Sequence, residues 1–101
     1  MEIMVIGRRV DVTEALKQYA SNKVAKLPRY YDRVQAIEVV TDRLDSHQYH
    51  VEIIVKAEHA DSFIATSSGD DLYRCIDDTV NKLERQLTDH KERLRNRKHN
   101  V

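Results

Sequence analysis

Gln48-Tyr49-His50-Val51-Glu52-Ile53-Ile54-Val55-Lys56-Ala57-Glu58 is the stretch that decides the fold. Tyr49, Val51, Ile53, Val55 and Ala57 alternate with Gln48, His50, Glu52, Ile54, Lys56 and Glu58, so one row of a strand enters a core and the other meets water. Upstream, Val34 to Asp42 is rich in β-branched residues and predicts a second strand. Downstream, Asp61 to Ser67 predicts another, with Phe63 and Ala65 on one side. The short links between the three predict an antiparallel meander.

Further out the period changes. Glu2 to Gly7 is a short apolar run that reads as a buried first strand. Asp11 or Thr13 then offers an N-cap, and Leu16, Tyr19, Ala20, Val24 and Leu27 recur at helical spacing until Pro28 ends the helix. After the meander, Ser68-Gly69-Asp70-Asp71 has the form of a capping box. Leu72, Ile76, Val80, Leu83, Leu87, His90 and Leu94 follow as the stripe of a long helix reaching to about residue 97, roughly 40 Å. The order is βαβββα. It predicts an α+β fold, a four-stranded mixed sheet with both helices packed on one face. The open face would then carry Glu38, Glu52 and Glu58. One domain over residues 1–95 and a short, disordered basic tail over 96–101 account for the chain.

Composition supports one domain. The 101 residues are 41% hydrophobic and 34% charged, with Gly 2 and Pro 1, which leaves little room for an all-β barrel or a flexible linker. No uncharged stretch approaches the ~18–20 residues of a membrane span. The acidic start Met1-Glu2-Ile3 is unlike a signal peptide, and a single Cys75 excludes an internal disulfide and fits a reducing cytoplasm. The formal net charge of zero conceals a pattern. Residues 1–33 hold seven Lys/Arg against four Asp/Glu, residues 34–73 two against eight, and residues 74–101 eight against five.

The basic residues fall on the helices. Lys82, Arg85 and Arg93 share one flank of the second helix, with Arg74 at its border. Lys23 and Lys26 flank the stripe of the first, and Arg29 and Arg33 follow its end. Neighbouring helices would let these residues rim one groove, the footprint of a phosphate-backbone binder. The competing reading is a solvated surface laced with i,i+4 pairs, since Asp77, Asp78, Glu84, Asp89 and Glu92 are interspersed.

A catalytic constellation does not emerge. His47, His50 and His59 lack cysteines at zinc-ligand spacing, Gly7 and Gly69 make no phosphate loop, and Ser67-Ser68 with a distant histidine is not a triad signal. Asp77 and Asp78 point about 100° apart on a helix. Cys75 reads as a half-buried small residue rather than a redox switch. Tyr30 and Tyr31 read as closing the core beneath a helix end, and Tyr73 has no assigned role.

Val12-Thr13-Glu14-Ala15-Leu16, Lys23-Val24-Ala25-Lys26-Leu27 and Tyr30-Tyr31-Asp32-Arg33 are familiar in combination. Asp71-Leu72-Tyr73-Arg74-Cys75-Ile76-Asp77, running on to Lys82-Leu83-Glu84-Arg85-Gln86-Leu87 and His90-Lys91, is the most specific block. Through them the chain resembles, over essentially its whole length, the ribosome hibernation promoting factor family, also called ribosome-associated inhibitor or ribosomal subunit interface protein. The resemblance implies a βαβββα fold similar to double-stranded RNA-binding domains. It implies a non-enzymatic cytoplasmic stress factor that occupies the messenger and transfer RNA channel of the small ribosomal subunit and keeps idle ribosomes inactive and preserved. The partners implied are the small subunit and its ribosomal RNA, with a separate small ribosome-dimerisation partner left open; cofactors, metals, membranes and DNA are not among them. Carried onto this sequence, the RNA-facing residues are Lys23, Lys26, Lys82, Arg85 and Lys91, with Arg74, Arg29 and Arg95. Two departures stand out. Position 89, often basic in relatives, is Asp89, and the chain ends without the second domain of long members, as a short form would. The rival class is a non-ribosomal protein-interaction module using the acidic sheet face or edge.

Overall fold

A computed structural model describes residues 1–99. The elements are β1 (Glu2–Gly7), α1 (Glu14–Val24), a 3-10 turn (Leu27–Arg29), β2 (Val34–Asp45), β3 (Gln48–Ala57), β4 (Phe63–Gly69) and α2 (Leu72–His99). The four strands lie in the order β1-β2-β3-β4, with β1 parallel to β2 and the later pairs antiparallel. This is the expected βαβββα arrangement. β1 and β4 therefore run the same way, and each is followed by a helix that returns across the sheet, so α1 and α2 are parallel.

Register explains which face is buried. Ile3 pairs with Ile37, Val5 with Val39, Val39 with Ile53 and Ile53 with Ala65. This row points at the helices, where Leu16, Ala20, Val24, Ile76, Val80, Leu83 and Leu87 are buried with it in one core. The alternate row, Met4–Glu38–Ile54–Ile64, faces outward. Met4 and Ile64 are each 50% exposed there. The open face is thus part aliphatic as well as acidic, and Glu58 is not on it: Glu58 lies in the turn after β3, 3.3 Å from His59.

Several boundaries differ from expectation for local reasons. β1 is an edge strand rather than a buried one, because it pairs with β2 alone and its Ile3 and Val5 are only partly buried against the core. The Thr13 hydroxyl, not Asp11, caps α1 by accepting from the Leu16 N–H at 3.1 Å. α1 stops before Pro28: the Ala25 N–H closes its last turn on the Ser21 carbonyl, and buried Leu27 sits in the 3-10 turn. Ser68 is not a cap either, since it lies within β4. The Asp71 carboxylate caps α2, accepting from the N–H groups of Tyr73 (3.0 Å) and Arg74 (3.4 Å). β2 extends to Asp45, and β4 begins at Phe63.

The α2 stripe is both wider and shorter than its apolar spacing. Cys75 and Thr79 are buried too, the Thr79 hydroxyl donating to the Cys75 carbonyl at 2.6 Å. Cys75 is fully rather than half covered, and burial pushes its thiol pKa up. His90 closes the lower core against Tyr31 and Phe63, with ring centroids 5.0 and 5.2 Å away. Leu94, one turn on, is 37% exposed. Tyr31 is buried in that cluster, as the sequence suggested. The backbone of α2 is helical to His99, while the last two residues of the expected tail lie outside the described residues.

Candidate nucleic-acid interface

α2 is held between α1 on one flank and β4 on the other, and each flank keeps its own set of cations. On the α1 side the Tyr19 hydroxyl donates to Asp77 at 2.7 Å. Lys23 Nζ lies 3.3 Å from the same carboxylate and 5.5 Å from the Tyr19 ring centroid. The Tyr19 ring meets Tyr73 edge-on at 4.9 Å. The bond to Asp77 is the main reason the Tyr19 pKa is pushed up to about 12, with burial adding to it. Together these contacts pin the two helices and partly neutralise Lys23. Lys26 lines the same hollow with Asn81 and Glu84.

Further along this seam a cleft of about 560 Å³ opens between the 3-10 turn and the end of α2. Arg29, Arg33, Lys91 and Arg95 line it, beside Asp32 and Glu92. Lys23, Lys26, Arg29 and Arg33 therefore share one seam, as expected from their spacing, and Lys91 and Arg95, named only through the family resemblance, line it with them.

Lys82 and Arg85 do not join it. The Lys82 ammonium donates to the Thr66 carbonyl of β4, and the Gln86 amide reaches the Ile64 carbonyl at 3.0 Å. Lys82 and Arg85 line a separate hollow with Ser67, Ser68, Asp78 and Asn81, and Arg93 borders another with His59, Phe63 and His90. The cause is the broad buried arc. Cys75 and Thr79 turn α2 so that the Lys82 flank abuts β4 rather than α1. Arg74 and Arg85, eleven residues apart and so about 20° apart in projection, ride the exposed crest between the flanks. One groove becomes a seam, a crest and a sheet-side flank.

Among the described residues the ion pairs are Arg9–Asp42 and Lys23–Asp77, with the His59 ring 3.3 Å from the Glu58 carboxylate. Lys26, Arg29, Arg74, Lys82, Arg85, Lys91 and Arg95 thus have no carboxylate partner there. Dense i,i+4 pairing, which would have favoured a merely solvated surface, is not what α2 does with them. Asp89 is a case in point: Arg93 Nε donates to its backbone carbonyl at 3.4 Å, and neither Arg85 nor Arg93 pairs with its carboxylate.

Two arrangements had no local signal in the sequence. Arg9 grips Asp42 with two parallel bonds of 2.9 Å across 33 residues, and Tyr19 meets Asp77 across 58. A third looks catalytic in outline. His50 Nδ1 lies 2.6 Å from the Ser68 hydroxyl, and Asp42 stands opposite His50 in the register. The Asp42 carboxylate, however, is engaged by Arg9 and by the Arg43 N–H, and the Ser–His pair lies on the exposed sheet surface.

Residues 3–95 match the family described as Sigma 54 modulation protein / S30EA ribosomal protein. The ribosome hibernation promoting factor of Escherichia coli K12 is 34% identical over 101 residues, spanning 94% of this chain and 98% of that one. The protein of the same name from Azotobacter vinelandii is 31% identical over 93 residues, spanning 92% and 85%. Among solved structures, the N-terminal domain of Thermus thermophilus Protein Y superposes with a TM-score of 0.79 at 32% identity, covering 89% of this chain and 99% of that one. A ribosomal subunit interface protein from Coxiella burnetii gives 0.82 at 26% identity, with 91% and 99% covered. The match runs from Ile3 in β1 to Arg95 in α2, through every element that builds the seam and the crest. The chain belongs to the Sigma 54 modulation protein / S30EA ribosomal protein family.

Proposed function

We propose that this chain is a ribosome-associated hibernation factor. It binds the small subunit through ribosomal RNA phosphates, lies in the channel for messenger and transfer RNA, and keeps idle ribosomes inactive and preserved. It works in the cytosol by occupancy, without catalysis. The observation that carries this reading is the array of seam and crest cations without carboxylate partners, Lys26, Arg29, Arg74, Arg85, Lys91 and Arg95. Charges not spent inside the protein remain available to phosphates, and ribosomal RNA is recognised largely through phosphates, 2′-hydroxyls and shape.

Sedimentation with purified small subunits at fixed magnesium tests it. About five phosphate contacts give a log–log slope of affinity against salt of roughly −3 to −5. A flat salt dependence overturns the phosphate reading. The aliphatic row containing Met4 and Ile64 favours a second reading, a protein-binding sheet face. Co-sedimentation that survives dissolution of the RNA by nuclease would select it.

Asp89 offers a graded check on the crest. With no cation on its carboxylate, Asp89→Lys removes an anion beside Arg85 without breaking a pair. The variant is expected to bind small subunits more tightly, with a slope steeper by about one unit. Equilibrium binding of both proteins at matched salt measures this.

A further inference from the structure

A further group of cations lies away from the helices, around the loop that joins β1 to α1. Arg8, Arg9 and Arg43 line a hollow with Gly7, Val10, Asp11 and Val12. The loop is tightly set. A Cβ on Gly7 would lie 2.2 Å from the Val10 carbonyl oxygen and 2.8 Å from Val12 Cγ2, so only glycine closes the turn. The Arg8 N–H bonds the Thr41 carbonyl at 3.0 Å, tying the start of the loop to β2.

Arg9 and Arg43 are positioned without being used up, and Arg8 is tied down through its backbone. Asp42, 7% exposed, takes two N–H bonds from Arg9 and one from the Arg43 backbone, so both oxygens of its carboxylate are engaged. A guanidinium has five N–H donors. Arg9 spends two on Asp42, and its side chain remains 64% exposed. The Arg43 guanidinium donates to the carbonyls of Asp45 (3.1 Å) and Ser46 (3.5 Å), which orient it without cancelling its charge. Arg8 has no carboxylate partner among the described residues. Asp11 is the one anion among the residues lining the hollow.

We infer that the Arg8–Arg9–Arg43 hollow is a second RNA-phosphate contact, independent of the seam and crest. Planar guanidinium forks suit phosphate oxygens, and for Arg9 and Arg43 the fold has already met part of the ordering cost, while Arg8 adds an unpaired charge beside them. The hollow lies at the N-terminal end of α1. Lys23 and Lys26 lie at its other end, eleven helical residues or ~16 Å away. Two contacts so separated fix the direction in which an RNA strand crosses the protein, the positioning role of phosphate contacts.

This inference rests on the ribosomal reading above, and the test separates the two. Arg9 is kept, because removing it would strand the Asp42 carboxylate. In Arg8→Ala/Arg43→Ala, binding to purified small subunits is expected to weaken about tenfold at moderate salt, with a slope shallower by nearly two units and an unchanged Tm. Should loss of the Arg43 bonds loosen the hairpin and lower the Tm, Arg8→Glu alone still reads the contact by the same measurements. A photo-crosslinking residue in place of Arg8 should yield adducts on ribosomal RNA. Adducts on ribosomal protein alone, or wild-type affinity and slope in the variants, overturn this inference while leaving the ribosomal reading intact. Wild-type protein that fails to bind small subunits overturns both.

Discussion

Lys26→Glu combined with Arg85→Glu should release this protein from small ribosomal subunits while leaving it folded. Both side chains are exposed, one in the seam and one on the crest, and neither has a carboxylate partner among the described residues. Reversal removes two phosphate contacts and sets two anions against RNA, so affinity should fall by roughly a hundredfold or more at moderate salt. Surface substitutions of this kind change stability by about 0.5 kcal/mol or less. Lys82→Glu alone is expected to do less, because Lys82 already donates to the β4 edge. The opposing control is Glu38→Lys with Glu52→Lys on the open sheet face, which should leave binding nearly intact. If that pair proves the damaging one, RNA meets the sheet and the interface has been placed on the wrong side.

The second large effect concerns stability. Leu83→Ala should cost roughly 2–5 kcal/mol, since Leu83 is completely buried where α2 crosses the sheet and its truncation leaves a cavity. Against a total stability of about 5–15 kcal/mol for a domain this size, that is a Tm lower by roughly 10–25 °C. Leu94→Ala, three turns along the same stripe, should cost no more than about 1 kcal/mol, because Leu94 lies past the His90 closure and remains 37% exposed. Thermal melts of the two variants compare them directly. Equal losses would mean that the core continues past His90.

What the sequence revealed follows from where the governing interactions lie. The alternation through Gln48–Ala57 and the stripe from Leu72 to Leu87 are set by burial alone, and both elements form as their periods demand. Which Lys and Arg share a groove was only half legible. Lys23, Lys26, Arg29 and Lys91 are placed together by the adjacency of α1 and α2. The rotation of α2 depends instead on Cys75 and Thr79 being buried; a covered cysteine is ordinary, but a threonine does not announce itself as core. Ser68 failed as a cap because β3 claims it as a partner through His50, a competition invisible to a four-residue motif. The Arg9–Asp42 grip spans 33 residues and becomes visible only when β2 lies beside β1. The cation types were therefore legible, and their allocation to surfaces was a property of the packed fold.

β4 is the outer strand of the sheet on the α2 side, and strands in that position carry backbone groups able to template growth with other chains. The carbonyls of Ile64 and Thr66 are occupied by Gln86 and Lys82 reaching over from α2. The same helix that carries the exposed cations thus acts as a gatekeeper, denying neighbouring copies an edge on which to polymerise. A sequence that drifted toward apolar residues at positions 82 and 86 would keep its core and its seam, yet expose a bare β-edge flanked by Ile64. An apolar residue in place of Lys82 is therefore expected to favour aggregation through the β4 edge, whatever it does to binding.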